Sequence, residues 1–114
     1  MLVNQYEKDG AVIYELEGKM LGGPDTNQLY ENIRQKLEEN VSAFIINLEE
    51  VKWINSSGLG ILINIFNVSK QNNAKLIIVS NSEQVKKMLK ITRLDNILTT
   101  RDSLEEALKM IKES

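Results

Sequence analysis

The residues of this chain best suited to chemistry are two adjacent hydroxyls in a glycine-rich setting, Trp53-Ile54-Asn55-Ser56-Ser57-Gly58-Leu59-Gly60. A serine hydroxyl either attacks an acyl or phosphoryl centre once a base has taken its proton, or accepts a phosphoryl group from another enzyme. The first use needs an activating base, and the 114 residues include no His and no Cys. The same absence removes imidazole bases, thiol nucleophiles, disulfides and the usual zinc ligand sets. Gly58-Leu59-Gly60 is a weak match to any phosphate-cradling loop. An enzyme with Ser56 or Ser57 as nucleophile is therefore disfavoured, and no catalytic residue, metal or cofactor is expected.

The bland use of these residues is structural. A helix is expected to begin here, and one of Asn55, Ser56 or Ser57 should cap it by accepting a backbone N–H. One cap is enough, however, and Gly58 and Gly60 inside a first turn cost about 1 kcal/mol each relative to Ala. Glycine clears side-chain bulk, so a partner's backbone or a nucleotide-bearing loop can approach the serines. A helix N-terminus also tolerates an added phosphate. Further along, Gly60, Asn64, Asn67 and Gln71 recur at steps of four, three and four, an uncharged polar stripe below the serines. Only Lys70 carries charge in this stretch. A solubility face would hold more Lys and Glu, so the stripe reads as a contact surface.

The surrounding periodicity predicts the elements that position this segment. Residues 2–7 and 11–17 alternate around Asp9-Gly10, a hairpin signal, so an antiparallel pair opens the chain. Lys19 to Pro24 reads as a loop, and Asp25 with Gln28 resembles a capping box for a helix running to about Asn40, with Leu29, Ile33 and Leu37 inward. The apolar runs at 43–48 and 75–80 suit strands covered on both faces. The helix between them, about 57–72, is long enough for the crossover of a right-handed βαβ unit. Ser82 starts a short helix with Val85, Met88 and Leu89 inward, and 96–99 supplies a last edge strand. Ser103 and Glu106 form a capping box for a final helix that buries Leu104, Ala107, Leu108 and Ile111. The fold class is α/β: a mixed sheet, antiparallel at its start and parallel in its βαβ strands, faced by about four helices.

Composition agrees with one domain over residues 1–114. The chain is 42% hydrophobic and 26% charged, enough apolar residue to bury a core. A net charge of -2 does not provide the electrostatic funnel of a nucleic-acid binder. Lys86, Lys87, Lys90 and Arg93 read as the wet face of a helix. Asn4, Gln5, Glu7, Lys8 and Asp9 in the opening segment fit neither a signal peptide nor a membrane span, so the expected location is the cytoplasm.

The stretch Ile54-Asn55-Ser56-Ser57-Gly58-Leu59-Gly60-Ile61-Leu62, preceded by Ala43 to Leu48 and followed by Lys75 to Ser80, resembles the signature of anti-sigma factor antagonists, the STAS domains of bacterial partner switching. The resemblance spans nearly the whole chain, including Glu17-Gly18-Lys19-Met20-Leu21 and the capped last helix. It implies a phosphorylated serine first in the Ser-Ser-Gly triplet, at Ser56. It further implies a partner surface of Asn55, Ser57, Gly58, Leu59, Gly60, Asn64 and Asn67 with Gly22, Gly23 and Asp25. In that family the unphosphorylated antagonist binds an ATP-dependent anti-sigma factor serine kinase and frees a sigma factor. The kinase then phosphorylates the serine and the complex dissociates, and a metal-dependent serine phosphatase resets the cycle. Two positions depart from the family pattern: Asn55 stands where many members have Asp, and Leu21 where many have an acid that Asp25 partly replaces. The competing reading is a phosphorylation-independent STAS subunit of a signalling or lipid-transport complex, in which Ser56 merely caps its helix.

Overall fold

The alternation on either side of Asp9-Gly10 becomes an antiparallel pair, β1 (Leu2–Lys8) and β2 (Ala11–Met20), in the computed structural model, which describes residues 2–113. Asp9 and Gly10 both take positive φ, 54° and 84°, the turn that matches the twist of the two strands. The chain continues through α1 (Pro24–Glu38), β3 (Ala43–Ile54), α2 (Ser56–Gln71), β4 (Lys75–Val79), α3 (Glu83–Ile91), a short 3-10 turn at Leu94–Asn96, β5 (Thr99–Arg101) and α4 (Leu104–Lys112). The five strands lie in sequence order, and every neighbouring pair after β1·β2 is parallel.

Parallel strands stepping in one direction, joined by right-handed crossovers, put their helices on one face of the sheet. The buried clusters show this. Leu29, Ile33 and Leu37 of α1, Leu59, Leu62 and Ile65 of α2, and Val85 and Leu89 of α3 all pack with Tyr14, Phe44 and Ile46. The rings of Tyr14 and Phe44 stack at 6.5 Å, and the Tyr14 hydroxyl donates to Asn32 Oδ1 at 2.6 Å, which satisfies a buried polar tip. On the opposite face Ala107 and Leu108 of α4 cover Ile13, Ile45, Ile77 and Val79.

Several boundaries differ from those the sequence predicts. Residues 19 and 20 are strand rather than loop: β2 pairs with β3 as far as Met20↔Ile54, with register shifts after Glu15 and Gly18. Such irregularities bend a strand and hide its alternation. β3 runs six residues past Leu48, through a segment whose Glu49, Glu50 and Lys52 mask it as loop. Asp25 is not the N-cap: α1 begins at Pro24, with Gly23 at φ 98° before it and Asp25 already in the first turn. Pro pre-sets the helical φ at that position and needs no N–H there. β5 lies at 99–101 rather than 96–99, because Leu94–Asn96 winds into the 3-10 turn. Among the described residues no helix is long and apolar enough to cross a membrane, and no cluster of acids is arranged to hold a metal.

Candidate functional site

Three elements converge where β3 ends and α2 starts. The Asn55 side chain caps α2, accepting from Gly58 N at 2.9 Å. Of the three cap candidates the asparagine does the work. Ser56 and Ser57 therefore occupy the first turn, both exposed, and neither is the residue that closes the helix. The Asn55 N–H is in turn held by Met20 O of β2 at 3.3 Å. No acidic side chain lies in the first turn of α2, so the turn itself supplies no carboxylate to its positive dipole end.

The two glycines of this turn do different things. A Cβ on Gly58 would collide with the Met20 carbonyl oxygen and come within 2.9 Å of Ile54 Cγ1. Gly58 is thus buried against its own sheet, where lack of bulk lets α2 dock on the end of β2. A Cβ on Gly60 would meet nothing within 4 Å, so its absence leaves space open to solvent. Leu59 is 3% exposed and lies in the core. From the β2–α1 loop, Gly22 approaches so closely that a Cβ there would sit 2.8 Å from Ser57 Cβ, and its φ of 85° suits glycine. Gly23 continues that loop and Asp25 stands in the first turn of α1, both exposed. The open face thus gathers Ser56, Ser57, Gly60, Asn64, Asn67 and Gln71, beside Gly22 and Gly23, while Gly58 and Leu59 sit beneath it.

The groups whose pKa values move are elsewhere, on β1 and β2. Burial first, and then the Glu39 carboxylate, push the Tyr14 phenol well above its ordinary value. Burial, followed by the Glu15 carboxylate that accepts its hydrogen bond, raises Tyr6. Nothing at the α2 turn resembles a base poised to activate a serine.

A STAS domain profile matches residues 3–107 of the 114. The chain belongs to the STAS domain family. A candidate anti-sigma factor antagonist of Thermotoga neapolitana is 30% identical to it over 76 residues, 67% of each chain. The crystal structure of a candidate anti-sigma factor antagonist from Thermotoga maritima superposes with a TM-score of 0.85 at 23% identity, over 96% of this chain and 94% of that one. SpoIIAA, an anti-sigma factor antagonist of Bacillus, superposes in its unphosphorylated form with a TM-score of 0.79 at 17% identity, over 99% and 100% of the two chains. Its phosphorylated form superposes with a TM-score of 0.76 at 17% identity, over 96% and 99%. These structures establish that the STAS fold is shared.

Two features of this STAS domain escape sequence reasoning. Gln84 of α3 donates from Nε2 to Ile54 O at 3.0 Å and accepts from Ile54 N at 2.8 Å. β4 pairs with β3 only as far as Asn47↔Val79, so the end of β3 has no strand on that side, and the Gln84 amide serves as a one-residue substitute. It anchors the residue before the Asn55 cap. A lone Gln on an amphipathic helix carries no signal of this. Trp53, next to last in β3, and Leu21, just after β2, are 50% and 45% exposed at the site's edge. The apolar character of both is visible in the sequence, but their exposure is not. Among the basic residues of α3, Lys86 is tied to Asp102 at 2.7 Å, consistent with a solvated face.

Proposed function

We propose that this STAS domain is an anti-sigma factor antagonist whose switch is Ser56. The observation that carries the reading is the division of labour at the α2 turn: Asn55 supplies the cap, so the exposed Ser56 hydroxyl is not spent on the fold. The names of its relatives support the antagonist role. In the unphosphorylated state the uncharged face around Ser57, Gly60, Asn64 and Asn67, flanked by Gly22, Gly23 and Asp25, docks on an anti-sigma factor serine kinase and frees the sigma factor. Asn55, Gly58 and Leu59 shape that face from below. The kinase transfers the γ-phosphoryl of ATP to Ser56 Oγ, with the serine proton passing to the kinase's own base.

Phosphate adds about -1.5 to -2 charge at a helix N-terminus, where the dipole favours it and no acid of the same turn competes. The same charge in an uncharged contact must be desolvated against the partner, so binding weakens while folding does not. The neutral Asn55 makes the capping bond that Asp would make, without placing a second negative charge beside the phosphate. A metal-dependent serine phosphatase resets the cycle, in the cytoplasm, with the chain acting as a single module.

The test is mass spectrometry of the tryptic fragment from Trp53 to Lys70, isolated from native cells before and after phosphatase treatment, together with kinase binding of Ser56→Ala. A phosphatase-sensitive phosphate on Ser56, and a variant that binds the kinase but is not released by ATP, are expected. Release of Ser56→Ala by ATP would move the switch to Ser57. An unmodified fragment under growth, starvation and stress alike would leave a constitutive interaction subunit instead.

A further inference from the structure

We infer that the hollow at the other end of α2 is a binding site for a single-chain anionic amphiphile, of the class of a medium-chain carboxylate. Strand β5 pairs only with residues Ile77 to Val79 of β4, so the start of β4 at Lys75 and Leu76 has no strand on that side. The gap lies between the last turns of α2 and of α4 and encloses about 420 Å³. That volume falls at the small end of ligand cavities, about 300–1,000 Å³.

Two features define what fits. The walls are apolar, built from Phe66, Leu76, Ile77 and Met110, and suit an alkyl chain. Two lysines, Lys70 and Lys75, line the hollow and no Asp or Glu does, although acids outnumber bases 16 to 14 in the chain. The Lys70 Nζ stands 5.9 Å from the centroid of the Phe66 ring, so one cation is stationed directly at the apolar wall. An anionic head group gives the lysines a counter-charge, while the tail covers the apolar wall. A neutral chain leaves the lysines unused, and a bare inorganic anion leaves the wall wet. The hollow is about 21 Å along α2 from Ser56, at 1.5 Å per residue, so an occupant does not obstruct the switch face.

The experiment is an NMR titration of the ¹⁵N-labelled full chain with decanoate, decanol and inorganic phosphate, all below micelle-forming concentrations. Decanoate should shift the amides of residues 69–77, Thr99 and Met110 saturably, decanol should bind about tenfold more weakly, and phosphate should not saturate. Lys70→Gln with Lys75→Gln should weaken decanoate about tenfold and leave decanol unchanged. Equal affinity for decanol and decanoate, saturation by phosphate alone, or shifts confined to other parts of the molecule would each overturn the inference. So would the absence of saturable shifts.

Discussion

Helices α2 and α4 begin with the same bond and end up with opposite electrostatics. In α4 the Ser103 hydroxyl accepts from Glu106 N at 3.2 Å, Glu106 Oε2 accepts from Asp102 N at 3.2 Å, and Glu105 and Glu106 both sit in the first turn. The Glu106 N–H has a partner and the dipole is met by carboxylates. In α2 the Asn55 side chain accepts from Gly58 N at 2.9 Å, and no acid follows. Two exposed serines and a glycine with open space beside it take the place of the carboxylates. A helix that only needed to start would be built like α4. The α2 terminus is left able to receive a negative charge, and its foundations lie outside the turn: Met20, Gln84 and the missing side chain of Gly58 hold it from beneath.

Substitutions that separate foundation from face sharpen this contrast. The largest loss is expected for Gly58→Ala, because a methyl group there meets the Met20 carbonyl: about 2–3 kcal/mol in urea unfolding. Gly60→Ala, two residues away, should instead be neutral or stabilise by up to about 1 kcal/mol, and an equal loss at both positions would end the distinction. Next comes Gln84→Leu, which strands the N–H and C=O of buried Ile54 and should cost about 1–3 kcal/mol. Its hydrogen-exchange signature should be faster exchange at Ile54 and Asn55, with α4 unaffected.

Cap removal is a smaller effect and should be alike at the two helices. Asn55→Ala and Ser103→Ala should each lower stability by about 1 kcal/mol. Ser56→Asp should stay within about 0.5 kcal/mol of the parent, since the fold does not use that hydroxyl and the dipole accepts the charge. A loss near that of Asn55→Ala would make Ser56 structural.

Near neutral pH the smallest effect is the tyrosine contribution. Tyr14 has its pKa raised on folding, above the ordinary value of 10.0, so the folded chain holds a proton that the unfolded chain loses. That contribution is constant below about pH 10 and stability falls as pH rises beyond it. Tyr14→Phe should flatten this alkaline decline in a pH series of urea midpoints. An unchanged decline would place its origin elsewhere.

How much was legible follows the range of each interaction. The hairpin, the inward stripes of α1 and α4, the capping serine of α4 and the buried strands β3 and β4 rest on residues within about four positions of one another, or on plain alternation. The expectation at Asp25 failed for a local reason: a Pro one residue earlier already defined the first helical position. The extended β3 failed for a nonlocal one. Residues 49–53 are mostly polar and become strand only because β2 runs alongside them through a shifted register. Neither Gln84 nor the burial of Gly58 is visible locally, since the one meets Ile54 thirty residues away and the other meets Met20 of a different strand.

By its composition and spacing alone this chain excluded imidazole and thiol chemistry, ordered its helices and strands, and drew attention to Asn55 to Gly60. Side-chain inventory and helical periodicity are properties of the chain itself. Only the tertiary structure decided which of three polar residues caps α2, which glycine is packed and which is open, and what holds the end of β3. Those choices depend on where β2 and α3 arrive in space, and a backbone group left by one strand can be satisfied only by whichever neighbour the fold brings to it.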